Sequence, residues 1–128
     1  MKTILIIDDE RYIRFIYKKI VAASCGSIFR VLEARNAMEA IEKIIEERVD
    51  LILLDIRLSN VDGPQLFRII RDYNPQIKIL IASVYDVKTQ KRMIPSADGY
   101  YDKSEGILCL LEKIANMFAD EKMTAGSC

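Results

Sequence analysis

The chain has 128 residues, 51% hydrophobic and 30% charged, which describes one ordinary globular domain large enough for a single core. Its 19 basic residues balance 19 acidic ones, so no bulk charge draws it to nucleic acid or to an anionic membrane, and neither is expected as a partner. Histidine is absent, which excludes a histidine nucleophile, a Ser-His-Asp relay and His-ligated zinc within this chain.

Met1-Lys2-Thr3 runs into an apolar segment too short for a signal peptide or a membrane span, so a cytoplasmic location is expected. Cys25, Cys109 and Cys128 lack metal-site spacing and read as reduced thiols, with Cys25 and Cys109 as small packing residues.

Thr3 to Ile7 is a continuous apolar strand that ends at Asp8, Asp9 and Glu10. Ile13, Ile16 or Tyr17, and Ile20 then recur at helical spacing up to Ala23, with Gly26 as the stop. The acids at the start of this helix favour its positive end, a capping role that accounts for one of them rather than three. Phe29 to Ala34 alternates and carries Arg30 and Glu33, the pattern of a half-exposed edge strand. Asn36 with Glu39 gives an N-cap and a capping-box acid for a helix through about Glu47, with Ala37, Ala40 or Ile41, Ile44 and Ile45 facing inward.

Leu51 to Leu54 shows no alternation, as a strand covered on both faces would, and stops at Asp55. A lone Asp there can simply start a turn; it becomes a site only if other strands deliver matching groups. After a polar loop, Asp62-Gly63-Pro64 opens a helix with Leu66, Ile69 or Ile70, and Tyr73 inward, closed by Asn74-Pro75. Ile77 to Ala82 is the next strand and ends in Ser83. A short polar helix follows from Tyr85 to about Met93. Gly99 to Asp102 is the last strand, ending in Lys103. Ser104 is then expected to cap a final helix with Ile107, Leu110 or Leu111, Ile114, and Met117 or Phe118 on one face. Residues 120–128 read as a polar tail or linker remnant after a domain spanning 1–119.

This alternation predicts an α/β fold: a doubly wound, five-stranded parallel sheet with five helices. In the flavodoxin-like order 2-1-3-4-5, strands one and three flank the switch point, where ligands bind beyond the strand ends. Asp8, Asp9 and Asp55 would then share a crevice. Two like charges about 4 Å apart repel by roughly 4 kcal/mol at an effective dielectric near 20, so the cluster needs a cation or a proton. With oxygen ligands alone, Mg²⁺ is the natural ion, and a divalent ion beside a carboxylate suggests phosphoryl chemistry. Asp55 would be the nucleophile, Asp8 and Asp9 would hold the metal, and Lys103 and the Ser83 hydroxyl would meet the phosphoryl oxygens.

The set Asp8-Asp9-Glu10, Leu-Leu-Asp55, Ile-Ala-Ser83 and Gly-Tyr100-Tyr-Asp-Lys103 resembles the receiver domain of two-component response regulators, including the chemotaxis regulators, over roughly residues 2 to 119. The resemblance implies that a histidine kinase or phosphotransfer protein donates a phosphoryl group to Asp55. It implies Mg²⁺ at Asp8, Asp9, Asp55 and the backbone carbonyl of Arg57, with Ser83 and Tyr100 as a switch pair. An output domain or downstream protein would read the change, and a phosphorylation-dependent dimer is one form it takes. The chain would catalyse no reaction beyond its own phosphorylation and dephosphorylation. Arg57 and Tyr85, two residues beyond Asp55 and Ser83, would flank the path of an attacking water and tune the lifetime of the acyl phosphate.

Three positions depart from the family pattern. Ser104 follows Lys103 where proline is usual, Val84 stands where a small residue is usual and would crowd Asp55, and the stretch from Ser83 to Gly99 is about two residues short. They motivate an alternative, a degenerate receiver acting as a phosphorylation-independent interaction module. A flavodoxin-like redox protein or an aspartyl phosphatase fits less well, because acids replace the phosphate-cradling loop and Arg57 replaces the second Asp.

Overall fold

The computed structural model describes residues 1–25, 29–59 and 61–119. Strands and helices alternate as β1 (Lys2–Ile7), α1 (Arg11–Cys25), β2 (Phe29–Ala34), α2 (Ala37–Glu46), β3 (Leu51–Leu54), α3 (Gly63–Tyr73), β4 (Lys78–Ser83), α4 (Val87–Met93), β5 (Gly99–Asp102) and α5 (Ile107–Phe118). The five strands form one parallel sheet in the order β2-β1-β3-β4-β5. The fold is therefore the expected doubly wound sheet, with β2 as the half-exposed edge that its alternation predicted.

Period-two geometry sorts the strand side chains into two cores. Leu5, Ile7, Ile52, Leu54, Ile79 and Ile81 face Ala37, Ala40 and Ile44 of α2 and Leu66, Phe67 and Ile70 of α3. Ile4, Ile6, Leu51, Leu53, Leu80 and Ala82 face Tyr17 and Val21 of α1 and Leu110 and Ile114 of α5. β1 and β3 are apolar at nearly every position because they are covered on both sides, and each fully buried Ile or Leu contributes about 1.5 to 3 kcal/mol.

Polar side chains set the helix starts. Asn36, Asp62 and Asp86 each accept from the amide three residues on, Glu39 at 2.9 Å, Gln65 at 2.9 Å and Thr89 at 2.8 Å. Glu39 reaches back to the amide of Arg35 rather than to that of Asn36, because Arg35 also offers its guanidinium at 2.9 Å. Several local expectations are corrected. Ile45 and Tyr73 lie on outer faces, 61% and 54% exposed, since Ala37, Ala40 and Ile44 on α2 and Leu66, Phe67 and Ile70 on α3 fill the inner stripes. The fourth helix begins at Val87, after Asp86 has capped it, and not at Tyr85.

Ser104 does not cap α5. Its amide and hydroxyl both bond to the Asp102 carboxylate, at 2.9 and 2.8 Å, which winds Lys103–Glu105 into a 3₁₀ turn. Gly106, at φ 95°, then leads into α5. Cys109 is buried, 6% exposed in the core beneath α5, as expected of a small packing residue. The Gly26 stop and the 120–128 tail lie outside the described residues.

Gly63 fixes how α3 meets the end of β3. Its amide donates to Ile56 O at 2.8 Å, and a Cβ at this position would lie 2.5 Å from Ile56 Cα and 2.9 Å from Asp55 O. Backbone atoms cannot yield as a side-chain tip does, so only glycine permits this approach. Gly63→Ala is expected to destabilise the fold by about 1 to 3 kcal/mol. A urea midpoint equal to that of the wild type would show the approach to be dispensable.

Candidate functional site

Sheet register places the acids. Ile7 stands opposite Leu54, so the next residues, Asp8 and Asp55, leave the sheet side by side. The amide of Asp8 donates to Ala34 O and that of Asp55 to Ile7 O, both at 3.1 Å, so both backbones stay tied to neighbouring strands. Asp8 and Asp55 are 2% and 7% exposed, whereas Asp9 is open to solvent. One carboxylate oxygen from each of Asp8, Asp9 and Asp55 lies within 4.8 Å of the others.

β5 delivers the counter-charge. Lys103 Nζ lies 2.9 Å from Asp8 Oδ2 and 3.7 Å from Asp55 Oδ2. Burial disfavours the ammonium, yet its hydrogen bond to Asp8 and the charges of Asp55, Asp8 and Glu10 outweigh that, and its pKa is raised. Serine in place of proline at 104 has not displaced the lysine. Asp9, Glu10, Asp55, Arg57, Leu58, Ser59, Val84 and Lys103 line a cavity of about 400 Å³ above the strand ends.

Of the remaining expected residues, Ser83 and Tyr100 are bonded elsewhere, and Arg57 meets Asp55 through its backbone. Ser83 is fully buried, and its Oγ accepts from the amide of Tyr85 at 3.3 Å, turned back into its own loop; its neighbour Val84 lines the cavity instead. Tyr100 is half-buried, with its hydroxyl donating to Ile94 O at 2.5 Å. The amide of Arg57 donates to Asp55 Oδ1 at 3.3 Å, which orients the carboxylate.

Two residues that carry this arrangement were not singled out from the sequence. Arg14 Nη1 donates to Asp8 O at 2.7 Å while Nε pairs with Glu33 Oε1 at 3.1 Å, so one guanidinium pins the turn that presents Asp8 and Asp9. Flanked by Ile13 and Phe15, it reads as a solvated helix position; its one signal is the unmatched Glu33 on an edge strand. Gln90 is buried on α4 and bonds the carbonyls of Tyr85 and Tyr101, and nothing in a short polar helix marks it.

Burial raises the pKa of Asp55 from 3.8 to about 6; Lys103 opposes the rise, Asp8 and Asp9 add to it, and the Arg57 amide opposes it. The oxygen-only donor set and the crowding of negative charge fit a hard divalent ion, with Mg²⁺ the ion matched to few carboxylates and several waters. Because Asp55 holds its proton more tightly in the fold than in the unfolded chain, its ionisation opposes folding. That cost is absent below about pH 4, grows as the pH rises through 6 and is fully present above it. Asp55→Asn is therefore expected to stabilise the metal-free protein at pH 7.5 by on the order of 1 to 3 kcal/mol. Thermal unfolding at both pH values checks this; a difference that persists at pH 4 contradicts it.

Residues 4–115 match the family model described as the response regulator receiver domain. Over 83 residues the chain is 34% identical to the chemotaxis protein CheY of Listeria monocytogenes, covering 65% of this chain and 68% of that protein. Over 82 residues it is 35% identical to the transcriptional regulatory protein ZraR of Klebsiella oxytoca, covering 64% of this chain but only 18% of that longer protein. The fold matches the crystal structure of the response regulator protein TrrA from Thermotoga maritima in complex with Mg²⁺-BeF, with a TM-score of 0.82, 29% identity, and coverage of 92% of this chain and all of that one. No comparison supports the degenerate alternative, and among the described residues no helix is long and apolar enough to cross a membrane. A match over 112 of 128 residues, on a sheet whose strand ends gather three acids and a lysine, shows that the chain belongs to the response regulator receiver domain family.

Proposed function

We propose that this receiver is a phosphorylation switch in which Asp55 takes a phosphoryl group from a histidine kinase or a phosphotransfer protein. The observation that carries the reading is the meeting of buried Asp55 with Asp8, Asp9 and Lys103 at one cavity. A carboxylate oxygen of Asp55 attacks phosphorus in line. The new O–P bond makes an acyl phosphate as the donor's P–N bond breaks, and the electron pair leaves on the imidazole nitrogen. Asp8, Asp9, Asp55 and the carbonyl of Arg57 would hold Mg²⁺, which when bound neutralises charge on the phosphoryl oxygens.

Lys103 already spans Asp8 and Asp55, so a small shift of its ammonium brings it to the arriving phosphoryl group. Ser83 follows by turning its hydroxyl out of the local bond with Tyr85, and Tyr100 responds on the face of α4, β5 and α5. That face is where an output domain, a downstream protein or a second copy would sense the change. Arg57 lines the cavity and half-buried Tyr85 follows Val84 of its wall in sequence, positions from which they would set how readily water attacks the acyl phosphate.

Val84 is 59% exposed and forms part of the cavity wall, so its branched side chain obstructs the approach of small donors. Intact-mass analysis with acetyl phosphate should show a single phosphoryl adduct that requires Mg²⁺ and is abolished by Asp55→Asn. Val84→Ala should label several-fold faster. Labelling that survives Asp55→Asn contradicts the assignment of the acceptor, and an unchanged Val84→Ala rate contradicts the obstruction.

A further inference from the structure

Gln90 lies on α4, is 0% exposed and spans two elements: its Nε2 donates to Tyr85 O at 2.7 Å and to Tyr101 O at 2.9 Å. Both partners are carbonyls, which only accept, so the group facing them is the amide nitrogen. Its Oε1 is buried and has no hydrogen-bond donor among the described residues. A half-satisfied buried amide is a poor choice for simple packing, where Leu or Met would fill the same volume without desolvating a polar atom. Its use lies in what the nitrogen joins.

Tyr85 sits in the loop between β4 and α4, and its amide donates to Ser83 Oγ at 3.3 Å. Tyr101 lies on β5, the edge strand that leads directly to Lys103. One side-chain amide thus ties the loop that holds Ser83 inward to the strand that delivers the lysine. Ser83 cannot turn towards a group on Asp55 without opening the turn to Tyr85, and the carbonyl of that same Tyr85 is held by Gln90. The orphaned Oε1 weakens this hold, because a buried acceptor without a donor gains nothing from the conformation shown.

We propose that Gln90 is a positioning residue, a latch that keeps the β4–α4 loop in its unphosphorylated arrangement and lets go when Ser83 swings to the phosphoryl group. The proposal rests on the reading of Asp55 as phosphoacceptor. The latch opposes the switched state and leaves the acids untouched, so its removal should favour binding of a phosphoryl mimic without changing binding of the metal.

The test uses the full chain with Mg²⁺ alone and with Mg²⁺ plus beryllofluoride. In the wild type, the Gln90 side-chain amide protons should be protected from solvent exchange by NMR with Mg²⁺ alone. They should lose at least tenfold of that protection when beryllofluoride binds. Protection that holds or increases overturns the latch, and this arm needs no variant to fold. Gln90→Met should bind Mg²⁺ within twofold of the wild type and beryllofluoride at least threefold more tightly. Unchanged or weaker beryllofluoride binding with intact Mg²⁺ binding overturns the latch alone. A wild type that binds Mg²⁺ but no beryllofluoride overturns the phosphoacceptor reading, and the latch with it.

Discussion

The pairing of Ile7 with Leu54 in adjacent parallel strands forces two carboxylates to emerge side by side where the sheet ends. Nothing in the apolar packing asks for this. β1 and β3 are buried on both faces, so their side chains could continue as Leu or Ile, yet each strand passes straight into an acid that stays almost wholly buried. Two anions this close repel by several kcal/mol at an effective dielectric near 20, and burial adds to the cost. The raised pKa of Asp55 reflects burial first, with the neighbouring acids adding to it.

Lys103 relieves part of it. An ammonium 2.9 Å from one acid and 3.7 Å from the other offsets a single charge among three carboxylates, which leaves the cluster net negative and receptive to a cation. The lysine arrives from the far edge of the sheet, two strands away from β3, on a 3₁₀ turn wound by Asp102. Its reach explains how serine at 104 serves where the family usually has proline: capping by a neighbouring carboxylate holds the turn instead. Loops supply the chemistry while the sheet fixes where the loops begin.

The fold was legible because a parallel sheet covered on both faces writes itself as uninterrupted apolar runs, and each run here stops at a chemically distinctive residue. Asp8, Asp9, Asp55 and Lys103 were readable for the same reason: strand ends converge once the strand order is known. What escaped was set by partners distant in sequence. Arg14 looks like any solvated helix residue until Glu33 and the carbonyl of Asp8 are seen beside it. Gln90 has meaning only through two backbone carbonyls, which no side-chain pattern records. The start of α5 was misplaced because the Asp102 carboxylate engages Ser104's own amide and hydroxyl, which winds a 3₁₀ turn ahead of the helix and leaves Gly106 at its start. Ser83 was correctly marked as a strand-end hydroxyl, but its inward bond to Tyr85 depends on a loop torsion that composition does not encode.

Burial raises the pKa of Asp55 to about 6, so a cation held by the three acids would be bound with release of a proton, and that coupling is the most direct probe of the cluster. Isothermal titration of Mg²⁺ into the metal-free chain at pH 6, in two buffers of different ionisation enthalpy, measures the ion count and the protons released together. The account predicts one Mg²⁺ per chain with release of roughly half a proton. Absence of saturable binding, or binding with no proton released, would contradict it.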